Sequence, residues 1–157
     1  MDQLPEKSFS NLLIEPMDEA DVDAVAAIET ASFRDPWPSD SFYTELENNR
    51  LAFYLVARIK QEDDPVAYIG AWKVLDEVHI TTLAVAEKFR RCGIGSRLVE
   101  ALVTSTTKSG ARYLTLEVRP SNVPAIRFYE KHGFKTLGRR KRYYLDEDAL
   151  IMTRELE

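Results

Sequence analysis

The chain has 157 residues, of which 45% are hydrophobic and 30% charged, and its formal net charge is −5. This composition is typical of a soluble globular protein with a self-supporting core, and the negative charge argues against general nucleic-acid binding. No apolar run approaches the ~20 residues of a membrane span, and Cys92 is the single cysteine. We therefore expect a cytoplasmic protein without an internal disulfide or a membrane anchor.

The N-terminal third predicts a strand followed by a helix. Met1 to Ser10 lacks the apolar segment of a signal peptide and is expected to be frayed, which leaves residues 11–157 as a single domain. Leu12 to Ile14 predicts the first strand. Asp18 is placed to cap a helix that runs to about Ser32. One side of this helix is apolar, formed by Val22, Val25, Ala26 and Ile28.

A break and a hairpin follow. The two prolines in residues 34–38 forbid continuation of the helix. Ser39 can cap a second, short helix through about Asn48. Residues 51–59 and 66–74 then have the apolar character of two strands joined by a turn, which predicts a hairpin.

The second half predicts an alternation of strands and helices. Glu77 to Val85 predicts a strand and Ser96 to Lys108 a helix, and residues 112–119 alternate so that Glu117 points away from the face of Leu116. The last helix would be capped by Asn122, with Pro124 in its first turn, and would end at Gly133. Residues 134–142 and 148–154 predict the final strands. The order of elements predicts an α/β (α+β) fold, with a mixed central sheet of about six to seven strands and helices on both faces.

The segment between the Glu77–Val85 strand and the following helix contains Arg90-Arg91-Cys92-Gly93-Ile94-Gly95. Its two glycines allow a sharp turn and a close approach to a ligand, and the helix that follows offers unpaired N–H groups and the positive end of its dipole. These features predict a cradle for a pyrophosphate.

Other phosphate-binding motifs fit this segment less well. A mononucleotide-binding P-loop would end in Gly-Lys-Ser/Thr, whereas this chain continues Gly95-Ser96-Arg97. A dinucleotide fingerprint would place a third small residue where Leu98 stands. A strand-to-helix turn without a ligand remains the alternative for Gly93 and Gly95 taken alone.

Several motifs, taken in order, resemble those of the GNAT N-acetyltransferases. They are Leu83-Ala84-Val85, the Arg-x-x-Gly-x-Gly run at 90–95, Leu116-Glu117-Val118-Arg119-Pro120-Ser121-Asn122 and the segment from Ala125 to Phe134. The likeness begins at about Leu12, is densest between Asp76 and Tyr144, and is greatest to the RimI type, which acetylates the N-terminal alanine of a small-subunit ribosomal protein. It implies a GNAT fold, acetyl-CoA as the acetyl donor and direct transfer to an amine.

The resemblance also implies which residues hold acetyl-CoA. Backbone N–H groups from Arg91 to Ser96 would bind the pyrophosphate, Asn122 would add a contact, and the end of the preceding strand would bind the pantetheine arm and the thioester oxygen. The cofactor-binding candidates are Leu83, Ala84, Val85, Arg90, Arg91, Cys92, Gly93, Ile94, Gly95, Ser96 and Asn122.

Glu117 matches the general base of the RimI type and Tyr129 its general acid. A carboxylate suits an α-amine, whose pKa of about 8 makes it easier to deprotonate than a lysine, and a tyrosine keeps its proton at neutral pH. Glu117 could instead be a solvated strand residue, and Tyr129 could be a packed aromatic beside Phe128 and Phe134.

The acceptor side is less well defined by the sequence. Trp37 resembles part of the acceptor-side loop of the family, with a buried indole as the alternative. Tyr143 lies in a run at 139–144 that resembles the strand lining the acceptor groove, although the connection after Tyr144 is shorter than expected. A net negative charge favours a basic acceptor, such as a ribosomal-protein tail or a polyamine. Further alternatives are an aminoglycoside or a lysine side chain as the acceptor, or a role as an acetyl-CoA sensor without catalysis.

No metal is predicted. His79 and His132 are too few for a metal site and are interpreted as structural or surface groups. Cys92 has no histidine nearby in the sequence to activate it, so we interpret it as a filler residue rather than a nucleophile.

Overall fold

Seven strands form one mixed sheet in the order β1-β2-β3-β4-β5-β7-β6. The structure, a computed structural model, describes residues 12–156, so the expectation for Met1 to Ser10 lies outside the described residues. The strands are β1 (Leu13–Pro16), β2 (Ala52–Arg58), β3 (Ala67–Val74), β4 (Glu77–Val85), β5 (Tyr113–Val118), β6 (Lys135–Arg140) and β7 (Ala149–Glu155).

Within residues 12–156, four α-helices cover the two faces of the sheet, which confirms the predicted helices on both faces. They are α1 (Val22–Ser32), α2 (Ser39–Asn48), α3 (Ile94–Lys108) and α4 (Val123–Lys131). Alternate residues of β3 show the division, because Tyr68 packs with α1 and α2, whereas Ile69 packs with the apolar face of α3. None of the helices in residues 12–156 is long and apolar enough to cross a membrane.

The parallel pair β4 and β5 separates soon after it begins. The pairing joins Glu77–His79 to Tyr113–Thr115 and goes no further in the described chain, although β4 continues to Val85 and β5 to Val118. A register shift between Gly70 and Ala71 of β3 accompanies this change in β4. Backbone groups on the facing edges of the two strands are therefore left out of the ladder, and a ligand can reach them.

Three predicted boundaries are wrong. β6 ends at Arg140 rather than Arg142, because Arg142 has φ 53° and its N–H bonds to the Asp148 side chain at 2.9 Å, which turns the chain out of the sheet. Ser39 is the first residue of α2 and not its cap, since the extended Pro38 precedes the helix. α3 begins at Ile94, two residues before the predicted start.

The other two predicted N-terminal helix caps, Asp18 and Asn122, are confirmed. The Asp18 carboxylate accepts from the N–H of Ala20 at 3.0 Å, in a 3-10 turn that leads directly into α1. Asn122 caps α4 through its side-chain oxygen, and Gly133 follows that helix with φ 85°. These local signals fix the start of α1 and both ends of α4.

Candidate active site

The predicted cradle is a left-handed turn that delivers the chain into α3. Arg91 has φ 63° and Gly93 has φ 83°. Gly93 is the residue before the helix, and it has no side chain that could cap the helix. The first N–H groups of α3, on Ile94, Gly95 and Ser96, therefore point outward with the helix dipole behind them. This arrangement fits a pyrophosphate.

The strand before the cradle is tied to it by Arg90. Its guanidinium donates to the Val85 carbonyl at 2.9 Å and to the Ser32 hydroxyl at 3.2 Å. Arg90 thus holds the turn against the ends of β4 and α1. The geometry gives Arg90 a role in shaping the cradle, whereas backbone N–H groups are the better phosphate ligands.

Other candidates for donor binding surround the same turn. The Asn122 oxygen accepts from the Ala125 N–H at 3.2 Å, so its amide nitrogen is the group that can donate to a ligand. The Cys92 thiol lies 3.4 Å from the Arg90 carbonyl and is partly exposed. His132 joins α4 to α3, with Nε2 2.8 Å from Ser96 Oγ, which agrees with its interpretation as a structural group.

Glu117 lies on β5 where β4 and β5 separate. Its Oε1 is 2.5 Å from Nε2 of His79 on β4, and its Oε2 is 4.0 Å from Nε of Arg140. Only 7% of the Glu117 side chain is exposed, against 33% for His79. The carboxylate is therefore enclosed by protein and held by a ring nitrogen, which is not the environment of a solvated strand residue.

Two opposing effects determine the pKa of Glu117. Burial raises it, but the hydrogen bond and charge of His79, aided by Arg140 and Tyr143, outweigh burial and leave the pKa below its ordinary value. Glu117 is thus an anion at neutral pH, and an anionic carboxylate is required of a group that accepts a proton.

Tyr129 lies on α4, where its ring packs edge-on against Phe128 at 5.2 Å and edge-on against Phe134 at 5.3 Å. Burial, and to a lesser degree the neighbouring Tyr144, raises the pKa of Tyr129; no hydrogen bond contributes to that shift in the described chain. The phenol therefore keeps its proton at neutral pH and can donate it.

Tyr143 belongs to the β6–β7 connection (141–148) and not to a strand. It is 46% exposed, its ring lies 5.7 Å from the Arg140 guanidinium, and burial and Glu117 together raise its pKa. The structure thus brings Tyr143 beside Glu117, on the side of the sheet opposite the cradle's helix.

Trp37 lies in the α1–α2 connection (33–38), and its backbone N–H donates to the buried carboxylate of Glu29 at 3.0 Å. The same carboxylate accepts from Tyr68 and Thr82, which fixes it inside the protein. The indole of Trp37 is half-buried, packs on Phe42 at 5.6 Å, and lines a groove with Trp72. The indole is therefore partly packed, as the alternative interpretation expected, and the acceptor-side role of Trp37 stays a prediction.

Arg119, which follows β5, joins the two connections that flank Glu117. Its guanidinium bonds to Asp146 at 2.6 Å and to Glu147 at 3.2 Å, and it lies 3.7 Å from Asp35 and 4.1 Å above the Tyr144 ring. The short connection after Tyr144 thus folds back onto the end of β5.

Sequence reasoning missed the role of His79. A lone histidine on a strand gives no local signal, and its partner Glu117 lies 38 residues away. The parallel pairing of His79 with Thr115 places it next to Glu117, so a correct strand register would have been needed to find it. No group of three or more His, Cys, Asp or Glu within residues 12–156 could hold a metal ion.

A separated pair of strands and an uncapped helix N-terminus are the features of an enzyme that binds a diphosphate-containing donor. Residues 22–134 match the model of the acetyltransferase (GNAT) family. The chain belongs to this family, and it is therefore an acetyltransferase that uses acetyl-CoA as its donor.

Relatives and solved structures agree with that assignment. The chain is 44% identical over 134 residues to a Bacillus subtilis (strain 168) protein named as a candidate ribosomal protein bS18-alanine N-acetyltransferase, covering 84% of this chain and 87% of the relative. It is 34% identical to the ribosomal protein bS18-alanine N-acetyltransferase of Escherichia coli (strain K12), over 88% and 94% of the two chains.

A crystal structure of the ribosomal-protein-S18-alanine N-acetyltransferase from Escherichia coli superimposes with a TM-score of 0.82 at 31% identity, covering 93% of this chain and 94% of that one. These similarities confirm the GNAT fold and the likeness to the RimI type that the motifs indicated.

Proposed function

We propose that this enzyme transfers acetyl from acetyl-CoA to the N-terminal α-amine of a small-subunit ribosomal protein that begins with alanine, with ribosomal protein S18 as the first candidate. The observation that carries the proposal is the enclosed, anionic Glu117 between β4 and β5, held by His79 at 2.5 Å. The proteins named for this activity, at 44% and 34% identity, support the choice of acceptor. Because a ribosomal protein is made in the cytoplasm, this acceptor also supports a cytoplasmic location for the enzyme.

The donor fits the residues present. Backbone N–H groups of Ile94 to Ser96 would hold its pyrophosphate, and the Asn122 amide would add a contact. A Cβ on Gly95 would meet Phe128 at 3.5 Å and Val85 at 3.7 Å, so the backbone there already lies against the floor of the cradle. The free edge of β4 from Leu83 to Val85 would accept the pantetheine arm.

The donor supplies an activated acetyl carbonyl, and the protein moves the protons. The α-amine reacts in its neutral form, and Glu117 takes one of its two protons as the amine nitrogen forms its bond to the acetyl carbon. Tyr129 gives a proton to the sulfur as the C–S bond breaks. One proton is taken and one is given, so the products are an acetylated N-terminus and a free thiol. The low pKa of Glu117 and the raised pKa of Tyr129 put each group in the correct protonation state.

A small polycation is a second acceptor class, favoured by one feature. The groove lined by Trp37 and Trp72 also contains Asp40 and Glu45. Aromatic rings and carboxylates together attract ammonium groups. The Glu45 carboxylate is already bonded to Tyr54 and Trp72, however, which leaves the exposed Asp40 as the main source of attraction.

Release of free thiol from acetyl-CoA separates these acceptors. The three acceptors are an alanine-initiated ribosomal-protein peptide, the same peptide with a blocked N-terminus and its lysines intact, and spermidine. We expect release with the free N-terminus alone. Release with the blocked peptide or with spermidine would assign the enzyme to lysine or polyamine acetylation, and no release with any acceptor would favour a sensor of acetyl-CoA.

A further inference from the structure

Trp72 connects the candidate base to a buried carboxylate on the other side of the strand pair. Its Cα lies opposite that of His79 in the β3–β4 ladder. The indole N–H donates to Glu45 of α2. The indole ring meets the His79 ring with centroids 6.5 Å apart at an interplanar angle of 77°. One ring thus contacts both a fixed acceptor and the histidine that holds Glu117.

The Glu45 carboxylate, which accepts the hydrogen bond of the Trp72 indole, is held firmly in place. Glu45 is buried, with 9% of its surface exposed, and it accepts from Tyr54 Oη at 2.8 Å and from Asn49 Nδ2 at 2.8 Å. Tyr54 is itself buried and packs edge-on against Phe42 at 6.3 Å. Because its partners fix the carboxylate, the orientation of the Trp72 indole is fixed as well.

His79 has less support of its own. Its side chain is 33% exposed, and an imidazole can rotate and can carry its proton on either nitrogen. The Glu117 carboxylate fixes one nitrogen only. The edge-to-face contact with Trp72 supplies a wall against which the ring can rest in a single orientation.

We propose that Trp72, held by Glu45, is a positioning residue that keeps the His79 ring turned with Nε2 toward Glu117. This inference rests on the proposed function, because it assigns Trp72 a role in acetyl transfer through the base. In this orientation the imidazole donates its Nε2 proton to Oε1 of Glu117. Oε2 is then the oxygen that accepts the proton of the amine.

The charged and titratable groups around the Trp72 and His79 rings come from four elements. Glu117 comes from β5, Arg140 from β6, Tyr143 from the β6–β7 connection, and Glu45 from α2 behind the indole. His79 is hydrogen-bonded to Oε1, whereas Arg140 approaches Oε2 at the longer distance of 4.0 Å. The two oxygens of Glu117 therefore have different partners.

Nitrogen NMR of the histidine rings tests the proposal directly, in protein without donor or acceptor. The chain has two histidines, and His132 serves as an internal reference because its partners Ser96 and Glu100 lie on α3, away from Trp72. The variants are Trp72→Phe, which keeps a ring but loses the N–H, and Trp72→Leu. Tyr68→Phe is the matched control, since it removes a hydrogen bond from the other buried carboxylate, Glu29, and leaves the contacts of Glu45 and His79 in place.

In the wild type we expect two well-separated ring nitrogen signals for His79, with the proton on Nε2. In the Leu variant the two signals should move toward each other as the tautomers mix, and the Phe variant should lie between. His132 should be unchanged throughout, and Tyr68→Phe should resemble the wild type. Steady-state kinetics should show kcat about tenfold lower in Trp72→Leu, with KM for acetyl-CoA unchanged.

Unchanged His79 signals in both Trp72 variants would overturn the proposal. A change in Trp72→Leu but none in Trp72→Phe would overturn the part assigned to Glu45. The ring signals do not depend on acetyl transfer. If the wild type acetylated none of the acceptors, the proposed function would fail while the NMR result still decided the position of His79.

Discussion

Arg119 and Asp146 form a hydrogen-bonded ion pair at 2.6 Å that attaches the β6–β7 connection to the end of β5. Asp146 also accepts from Arg34, which lies in the α1–α2 connection. The two connections that flank Glu117 are therefore joined through one carboxylate. Both connections are expected to contact the acceptor. The ion pair of Arg119 and Asp146 is therefore placed to affect acceptor binding.

Asp146→Asn should raise KM for the acceptor peptide several-fold, because it weakens both attachments at once. KM for acetyl-CoA should stay the same, since the cradle at Gly93 to Ser96 is not involved. The groups are exposed, so little change in the melting temperature is expected. Glu100→Gln removes a comparable exposed pair with Arg154 and is the matched control. Equal acceptor KM in wild type and Asp146→Asn would contradict this role.

His79→Leu should narrow the pH range of the enzyme on the acid side. Burial raises the pKa of Glu117 and His79 lowers it, with a net lowering, so loss of His79 must raise that pKa. A base with a raised pKa is protonated sooner as pH falls. The acid limb of kcat, measured with both substrates saturating, should therefore lie at higher pH in the variant than in the wild type.

The corresponding substitution of the second histidine, His132→Leu, is the control. His132→Leu removes contacts to Ser96 and Glu100 but none to Glu117, so its acid limb should match that of the wild type. An acid limb that stays in place in His79→Leu would mean that another group sets the protonation of Glu117.

Tyr129→Phe should lower kcat by about 100-fold, a typical contribution of a general acid, with little loss of stability. The ring contacts with Phe128 and Phe134 remain in the variant, and no hydrogen bond of the hydroxyl contributes to its raised pKa. Tyr113→Phe on β5 is the control for removal of a phenol elsewhere. If Tyr129→Phe instead unfolds more readily and keeps its kcat, the residue is a core aromatic and not the acid.

Gly70→Ala tests the packing behind the site. A Cβ at this position would lie 2.3 Å from Cε2 of Tyr54, a buried ring held by Glu45 and Phe42. The overlap should cost about 1–3 kcal/mol in the free energy of unfolding, measured with urea. Gly138→Ala is the control, because its Cβ would meet Ile151 at an ordinary 3.6 Å and should change stability little. Equal losses in the two variants would show that the Tyr54 ring can move aside.

Local sequence signals were sufficient for most of the fold. The apolar side of α1 predicted from Val22, Val25, Ala26 and Ile28 is buried, and Asp18, Asn122 and Gly133 stand where caps and turns require them. Such signals act over a few residues, so they can be recognised without the tertiary structure.

The parts that failed depend on distant residues. Tyr143 was expected in a strand, but Asp148 draws the chain away by bonding to the N–H of Arg142. His79 and the buried carboxylates of Glu29 and Glu45 acquire their partners only when strands and helices assemble. Periodicity indicates which face a residue occupies and cannot indicate which side chain lies opposite it.

The most direct test of the central claim is mass spectrometry of intact and digested ribosomal protein S18 after incubation with isotope-labelled acetyl-CoA and either wild-type enzyme or Glu117→Gln. Gln retains the size of Glu117 but cannot take a proton, and Glu77→Gln, on the exposed start of β4, is the control. We predict one labelled acetyl group on the N-terminal alanine with wild type and Glu77→Gln, and a rate lower by about 100-fold or more with Glu117→Gln. Label on lysine, or an equal rate with Glu117→Gln, would contradict the assignment of this enzyme as an N-terminal acetyltransferase with Glu117 as its base.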